Sequence, residues 1–104
     1  MTIRVILADD HQIVRRGLRE LLEKQNDLAV VGEARTGEEA IRLAREVQPD
    51  VVIMDVGMPD LNGIEATYQL LATNKNLKII ALSMYSDRRF VRVFPLGVND
   101  RVKL

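Results

Sequence analysis

Short apolar runs alternate with helix-period stripes along this chain. Residues 3–8 (IRVILA) form the first run. Val14, Gly17, Leu18, Leu21 and Leu22 follow at i, i+3, i+4, i+7 and i+8, the spacing of one buried helix face. Residues 28–31 (LAVV) read as a second strand. Thr36 with Glu39 three places later reads as a capping box, and Ala40, Ile41, Ala44 and Val47 continue that helix up to Pro49. A third strand is expected over 51–54. Asn62 and Glu65 mark another helix start, with a stripe of Ile64, Thr67, Tyr68 and Leu71. A fourth strand is expected over 77–82, a helix from Asp87 to about Phe94, and a last strand near 98–102.

Strand–helix alternation implies right-handed parallel crossovers with helices on both sheet faces. Near-continuous apolar strands agree, because a sheet buried on both sides need not alternate. The expected fold is one α/β three-layer domain over residues 1–104. No linker, repeat or low-complexity segment interrupts it.

With 104 residues the chain is the size of one small domain. It has no cysteine, which excludes disulfides and thiolate metal centres and fits a reducing compartment. One histidine argues against an all-protein zinc site. No apolar stretch is long enough for a membrane span or a signal peptide, so a cytoplasmic location is expected. Net charge is zero, from 15 basic and 15 acidic residues, so nothing global points to nucleic acid. The charges are uneven: residues 1–60 carry 12 acids and 8 bases, residues 61–104 carry 3 acids and 7 bases. Arg88, Arg89, Arg92, Arg101 and Lys103 form a basic cluster that reads as a solvated face, with no helix-turn-helix after it.

The candidate chemistry lies at strand ends. The first run ends in Asp9-Asp10 and the third in Asp55, followed by Val56-Gly57-Met58-Pro59-Asp60-Leu61-Asn62-Gly63. If both runs are parallel strands, three carboxylates share the sheet edge where open α/β sheets bind ligands. Each acid alone is an ordinary helix cap. Together they repel, and a cation relieves that repulsion. Oxygen donors in this number suit magnesium, which points to phosphate chemistry with one carboxylate as a possible acceptor of an acyl phosphate. Ser83, at the end of the fourth run, is either a helix cap or a donor to a phosphoryl oxygen. Lys103 is the only lysine near the expected fifth strand, and is either a terminal surface residue or a second phosphoryl contact. His11 reads as a first-turn helix residue.

These residues resemble the receiver domain of two-component response regulators. The marks are Leu7-Ala8-Asp9-Asp10-His11, the segment from Asp55 to Gly63, and Ala81-Leu82-Ser83. Asp-Asp-His, Gly17-Leu18 and Ala-Leu-Ser-Met are most similar to the LuxR/NarL-type subfamily, whose members usually add a C-terminal helix-turn-helix domain. The resemblance runs regularly to about residue 91, and 92–104 is atypical. It implies a flavodoxin-like strand order 2-1-3-4-5. It implies that Asp55 accepts a phosphoryl group from a sensor histidine kinase. Asp10 and Asp55 would hold Mg2+ by side chain, Gly57 by its carbonyl and Asp9 through water, while Ser83 would bond a phosphoryl oxygen.

The C-terminal end departs from the receiver pattern. Lys103 fits the usual strand-five lysine only with a one-residue shift, the aromatic switch residue is missing, and a fifth helix is not expected. The expectations are therefore a domain without an output module, an apolar patch on one sheet face, and self-association or segment exchange as a homodimer or oligomer. The leading reading is a phospho-accepting signalling switch, not an enzyme beyond its own phosphorylation and dephosphorylation, without direct nucleic-acid or membrane binding. The alternatives are a non-phosphorylated interaction module and a Mg-dependent phosphohydrolase. Against the last, Gly57 stands where such enzymes commonly carry a second acid.

Overall fold

The computed structural model describes residues 1–55, 57–58, 63–74, 76–85, 88–94 and 101–103, with side chains for 1–55, 57–58, 65–72, 74 and 76–82. In chain order the elements are β1 (Ile3–Ala8), α1 (Gln12–Glu23), β2 (Leu28–Ala34), α2 (Gly37–Val47), β3 (Val51–Asp55), α3 (Gly63–Thr73), β4 (Lys78–Tyr85), β5 (Arg88–Phe94) and β6 (Arg101–Lys103). The sheet order is β2-β1-β3-β4-β5-β6. The first four are parallel neighbours, and their order 2-1-3-4 is that of the flavodoxin-like receiver fold.

Helix α2 forms for a local reason. In α2, Thr36 is extended and its hydroxyl accepts from the Glu39 backbone N–H at 3.1 Å, satisfying one of the donors that a helix start leaves over. The helix ends at Val47 because Gln48 turns left-handed (φ 47°) and Pro49 cannot continue it. Ala40, Ile41 and Ala44 are buried as expected. Helix α2 approaches β2 so closely that a Cβ on Gly32 would meet Leu43 Cδ2 at 2.6 Å, so only glycine fits there without Leu43 moving.

The main core lies between the sheet and α2–α3. Ile6, Ala8, Val52, Met54 and Ile79 contribute from the strands, and Ala66, Leu70 and Ala40 from the helices. Strand residues of the other parity lie on the opposite sheet face, where α1 packs on β1 and β2. There Val5 and Leu7 are buried, while Ile53, Ile80 and Leu82 are half-buried. Ile13 and Leu21 of α1 are exposed, at 87% and 61%.

Three expectations need correction. The stripe on α1 is out of phase: Val14, Leu18 and Leu22 are half-buried, Gly17 and Leu21 are exposed, and the buried residue is Arg15. On α3, Thr67 is buried but Tyr68 is exposed, and Ala66 and Leu70 complete the inner face. Residues 88–94 are a strand, not a helix. Phe90, Val91, Val93 and Phe94 are strong strand formers, and the segment pairs antiparallel with β4 from Ile79↔Phe94 to Tyr85↔Arg88. That pairing also carries β4 past Ser83 to Tyr85. The last strand begins at Arg101 and pairs antiparallel with β5. Asn62 lies outside the described residues.

The amino rim of the sheet is fastened by one aspartate. Asp50 N–H donates to the Arg4 carbonyl and its Oδ2 accepts from the Arg4 N–H, both at 2.8 Å. The Asp50 carbonyl accepts from the Lys78 N–H at 3.1 Å, and Arg4 Nη1 donates to the Gln48 carbonyl at 2.9 Å. One residue thus ties β1, the start of β3 and β4 together.

Candidate functional site

The carboxyl ends of β1 and β3 bring Asp9, Asp10, His11 and Asp55 together, with one ligand atom from each inside a 4.8 Å cluster. Register explains the convergence. Ala8 pairs with Met54, so the residues that follow them, Asp9 and Asp55, leave the sheet side by side. The next strand over pairs Leu82 with Asp55, which places Ser83 one step further along the same edge.

Asp9 is almost fully buried, at 4% exposure. Its N–H donates to the Ala34 carbonyl of β2 at 3.0 Å. Its Oδ1 accepts from the His11 backbone N–H at 2.7 Å, a local turn that fixes the carboxylate. Asp55 is half-buried and its Oδ1 accepts from the Gly57 N–H at 2.9 Å, which sets the rotamer of the carboxylate. His11 is the N-cap of α1 rather than a first-turn residue, and its side chain makes no capping bond. Instead its Nδ1 lies 3.0 Å from Asp9 Oδ1 and 3.1 Å from Asp10 Oδ1.

Electrostatics follow from this crowding. Burial raises the Asp55 pKa above the ordinary aspartate value; the Gly57 hydrogen bond opposes that, and Asp9 and Asp10 add to it by repulsion. The His11 imidazole is raised above its ordinary value, first by the hydrogen bond to Asp9 and then by the charge of Asp10. A proton held on this ring serves the same physical end as a metal ion: it puts positive charge among three carboxylates.

The donor set fits magnesium on chemical grounds. Three carboxylates in one cluster are hard oxygen donors, and the rim leaves Asp10 open to water, so an ion there can keep part of its hydration shell. Of the other expected site residues, Gly57 is adjacent to Asp55 through its N–H. Ser83 is placed by backbone only, paired with Phe90 of β5. Lys103 pairs with the same Phe90 from its other side, so β5 separates its strand from β4. At about 4.8 Å per strand, Lys103 stands two spacings from Ser83 in the sheet.

Two residues of this region were not picked out from sequence. Arg15 is buried at 7% exposure, and its Nη1 donates to the Asp9 carbonyl at 2.6 Å. Its Nε donates to Glu33 Oε1 of β2 at 3.2 Å, and Glu33 also pairs with Arg19. The available signal was a charged residue inside the apolar stripe of α1, matched by an acid in the strand beside it.

Comparison with known proteins agrees with the geometry. The family profile described as "Response regulator receiver domain" matches residues 5–103. The chain is 44% identical over 89 residues to the uncharacterized transcriptional regulatory protein YhcZ of Bacillus subtilis, covering 86% of this chain and 42% of that protein. It is 39% identical over 103 residues to the response regulator protein VraR of Staphylococcus saprophyticus, covering 98% of this chain and 49% of that one. The chain therefore spans less than half the length of these relatives. Among solved structures, a LuxR-family two-component response regulator from Aurantimonas superposes with a TM-score of 0.78 at 43% identity, over 83% of this chain and 61% of that one. RcsB from Salmonella enterica, bound to the promoter rprA in the presence of phosphomimetic BeF3-, gives 0.76 at 33% identity, over 84% and 45%. Among the described residues no helix is long and apolar enough to cross a membrane. With its parallel order 2-1-3-4 and its acids gathered at the carboxyl rim, the chain belongs to the receiver domain family of two-component response regulators, of the LuxR/NarL type.

Proposed function

We propose that this domain is a phospho-accepting switch in which Asp55 takes a phosphoryl group from a sensor histidine kinase. The observation that carries the reading is the gathering of Asp9, Asp10 and Asp55 within 4.8 Å at one rim. An Asp55 oxygen attacks phosphorus, the bond from phosphorus to the donor imidazole nitrogen breaks, and the electron pair leaves with that nitrogen. The Gly57 N–H on Oδ1 holds the carboxylate in one orientation during the approach. Asp10 and Asp55 by side chain, Gly57 by carbonyl and Asp9 through water would hold Mg2+. That ion, when bound, supplies the charge compensation that a phosphoryl group needs beside three acids. The Ser83 hydroxyl then bonds a phosphoryl oxygen and passes the change to the segment after β4. Lys103 joins it only if β5 yields its place beside β4. In the cell, the domain acts as the phosphorylation-controlled part of a cytoplasmic transcription regulator.

Intact-mass measurement after incubation with magnesium and a small acyl phosphate tests this. One added phosphoryl group that disappears in Asp55→Asn is expected. Rapid turnover of unrelated phosphate esters would make the domain a hydrolase instead. No adduct together with no magnesium affinity would leave an interaction module.

A further inference from the structure

Asp9 and Asp10 sit in a turn that is held by more than the bond from the His11 N–H to the Asp9 carboxylate. The Asp9 N–H is held by Ala34 of β2 and the Asp9 carbonyl by Arg15 Nη1 at 2.6 Å. The peptide that begins at that carbonyl is planar and ends at the Cα of Asp10. Fixing its oxygen therefore fixes the plane from which the Asp10 side chain departs. Arg15 is itself fixed: it is buried at 7% exposure, and its Nε is bonded to Glu33 Oε1. Glu33 lies in β2, whose register with β1 runs Leu7↔Glu33 and Ala8↔Ala34 up to the acidic turn. Strand, carboxylate, guanidinium and turn form one chain of contacts.

We propose that Arg15 is a positioning residue that sets the cation affinity of the acidic rim, with Glu33 as its anchor. The inference rests on the reading of that rim as a magnesium site. Charge alone predicts the opposite sign. A guanidinium beside Asp9 repels an incoming cation, so its removal should strengthen binding if electrostatics were its whole effect. If its effect is geometric, removal lets the Asp9–Asp10 peptide rotate, and binding weakens despite the loss of a repelling charge.

Magnesium titration by calorimetry on the intact chain, with the metal alone as probe, separates the two. Arg15→Met keeps the apolar stem of the side chain and removes every donor. The dissociation constant is expected to rise at least fivefold while circular dichroism stays that of the parent. Arg15→Lys restores the charge without the fork and should recover only part of the loss. Arg19→Ala removes the other partner of Glu33, which does not touch Asp9, and should leave affinity within twofold. Unchanged or tighter binding in a folded Arg15→Met, with the parent still binding magnesium and accepting phosphoryl, overturns this inference alone. If Arg15→Met does not fold, Arg15→Lys decides, and parent-like affinity there overturns it equally. A parent that binds no magnesium overturns both this inference and the proposed function.

Discussion

Arg15 and Asp9 meet through a side chain and a backbone oxygen, 2.6 Å apart and away from water. A buried carbonyl that loses its donor bears the full cost of desolvation, and a guanidinium at that depth needs its acid. Arg15→Met is therefore expected to destabilise the fold by about 1–3 kcal/mol. Urea unfolding with magnesium absent is the measurement. A midpoint equal to the parent's would mean that water replaces the guanidinium without loss.

Asp55 makes stability depend on pH with a definite sign. Its folded pKa is raised, chiefly by burial, so the folded state holds the proton more tightly than the unfolded state does. The associated stability is complete below the ordinary aspartate pKa and is lost as pH rises through the folded value. Asp55→Asn should be more stable than the parent at neutral pH without divalent ions. It should also show a flatter profile just above the ordinary aspartate range. Parallel urea profiles for the two proteins would contradict this.

His11 is the only histidine, so one NMR titration reports on the rim. Its pKa lies above the ordinary imidazole value because Asp9 and Asp10 face its Nδ1. Asp10→Asn should lower it. Saturating magnesium should lower it further, since a divalent cation at the carboxylates repels the imidazolium. A pKa indifferent to magnesium would place the ion elsewhere.

Thr36 caps α2 through one hydrogen bond to Glu39 N–H. Thr36→Ala should cost about 1 kcal/mol, with cation affinity unaltered because the cap lies outside the acidic cluster. Thermal melts beside magnesium titrations check both halves.

The acidic rim was legible because two features coincided: apolar runs that end in aspartate, and an alternation that makes the runs parallel. Asp9, Asp10 and Asp55 follow from that reasoning alone, and Thr36 and Pro49 from local cap and breaker chemistry. Arg15 escaped because hydrophobic periodicity counts a charge as outward-facing, whereas here Glu33 makes its burial tolerable. Glu33 escaped with it: Gly32-Glu33 interrupts the apolar run, although β2 continues to Ala34. Residues 88–94 were ambiguous for another reason. Seven residues with arginines on both parities fit a helical or an extended period, and the open edge of β4 decided between them. Long-range pairing of that kind leaves no mark on the segment's own pattern.

Asp50 gives the molecule a hinge line. By stitching β1 to β4 across the rim opposite the acids, it makes that end a clamp. A chemical event among the acids can then shift loops without slackening the strands that carry them. Amide exchange at Arg4 and Lys78 should be slow for positions so near a strand start, and it is the quieter seam that lets the busier one move.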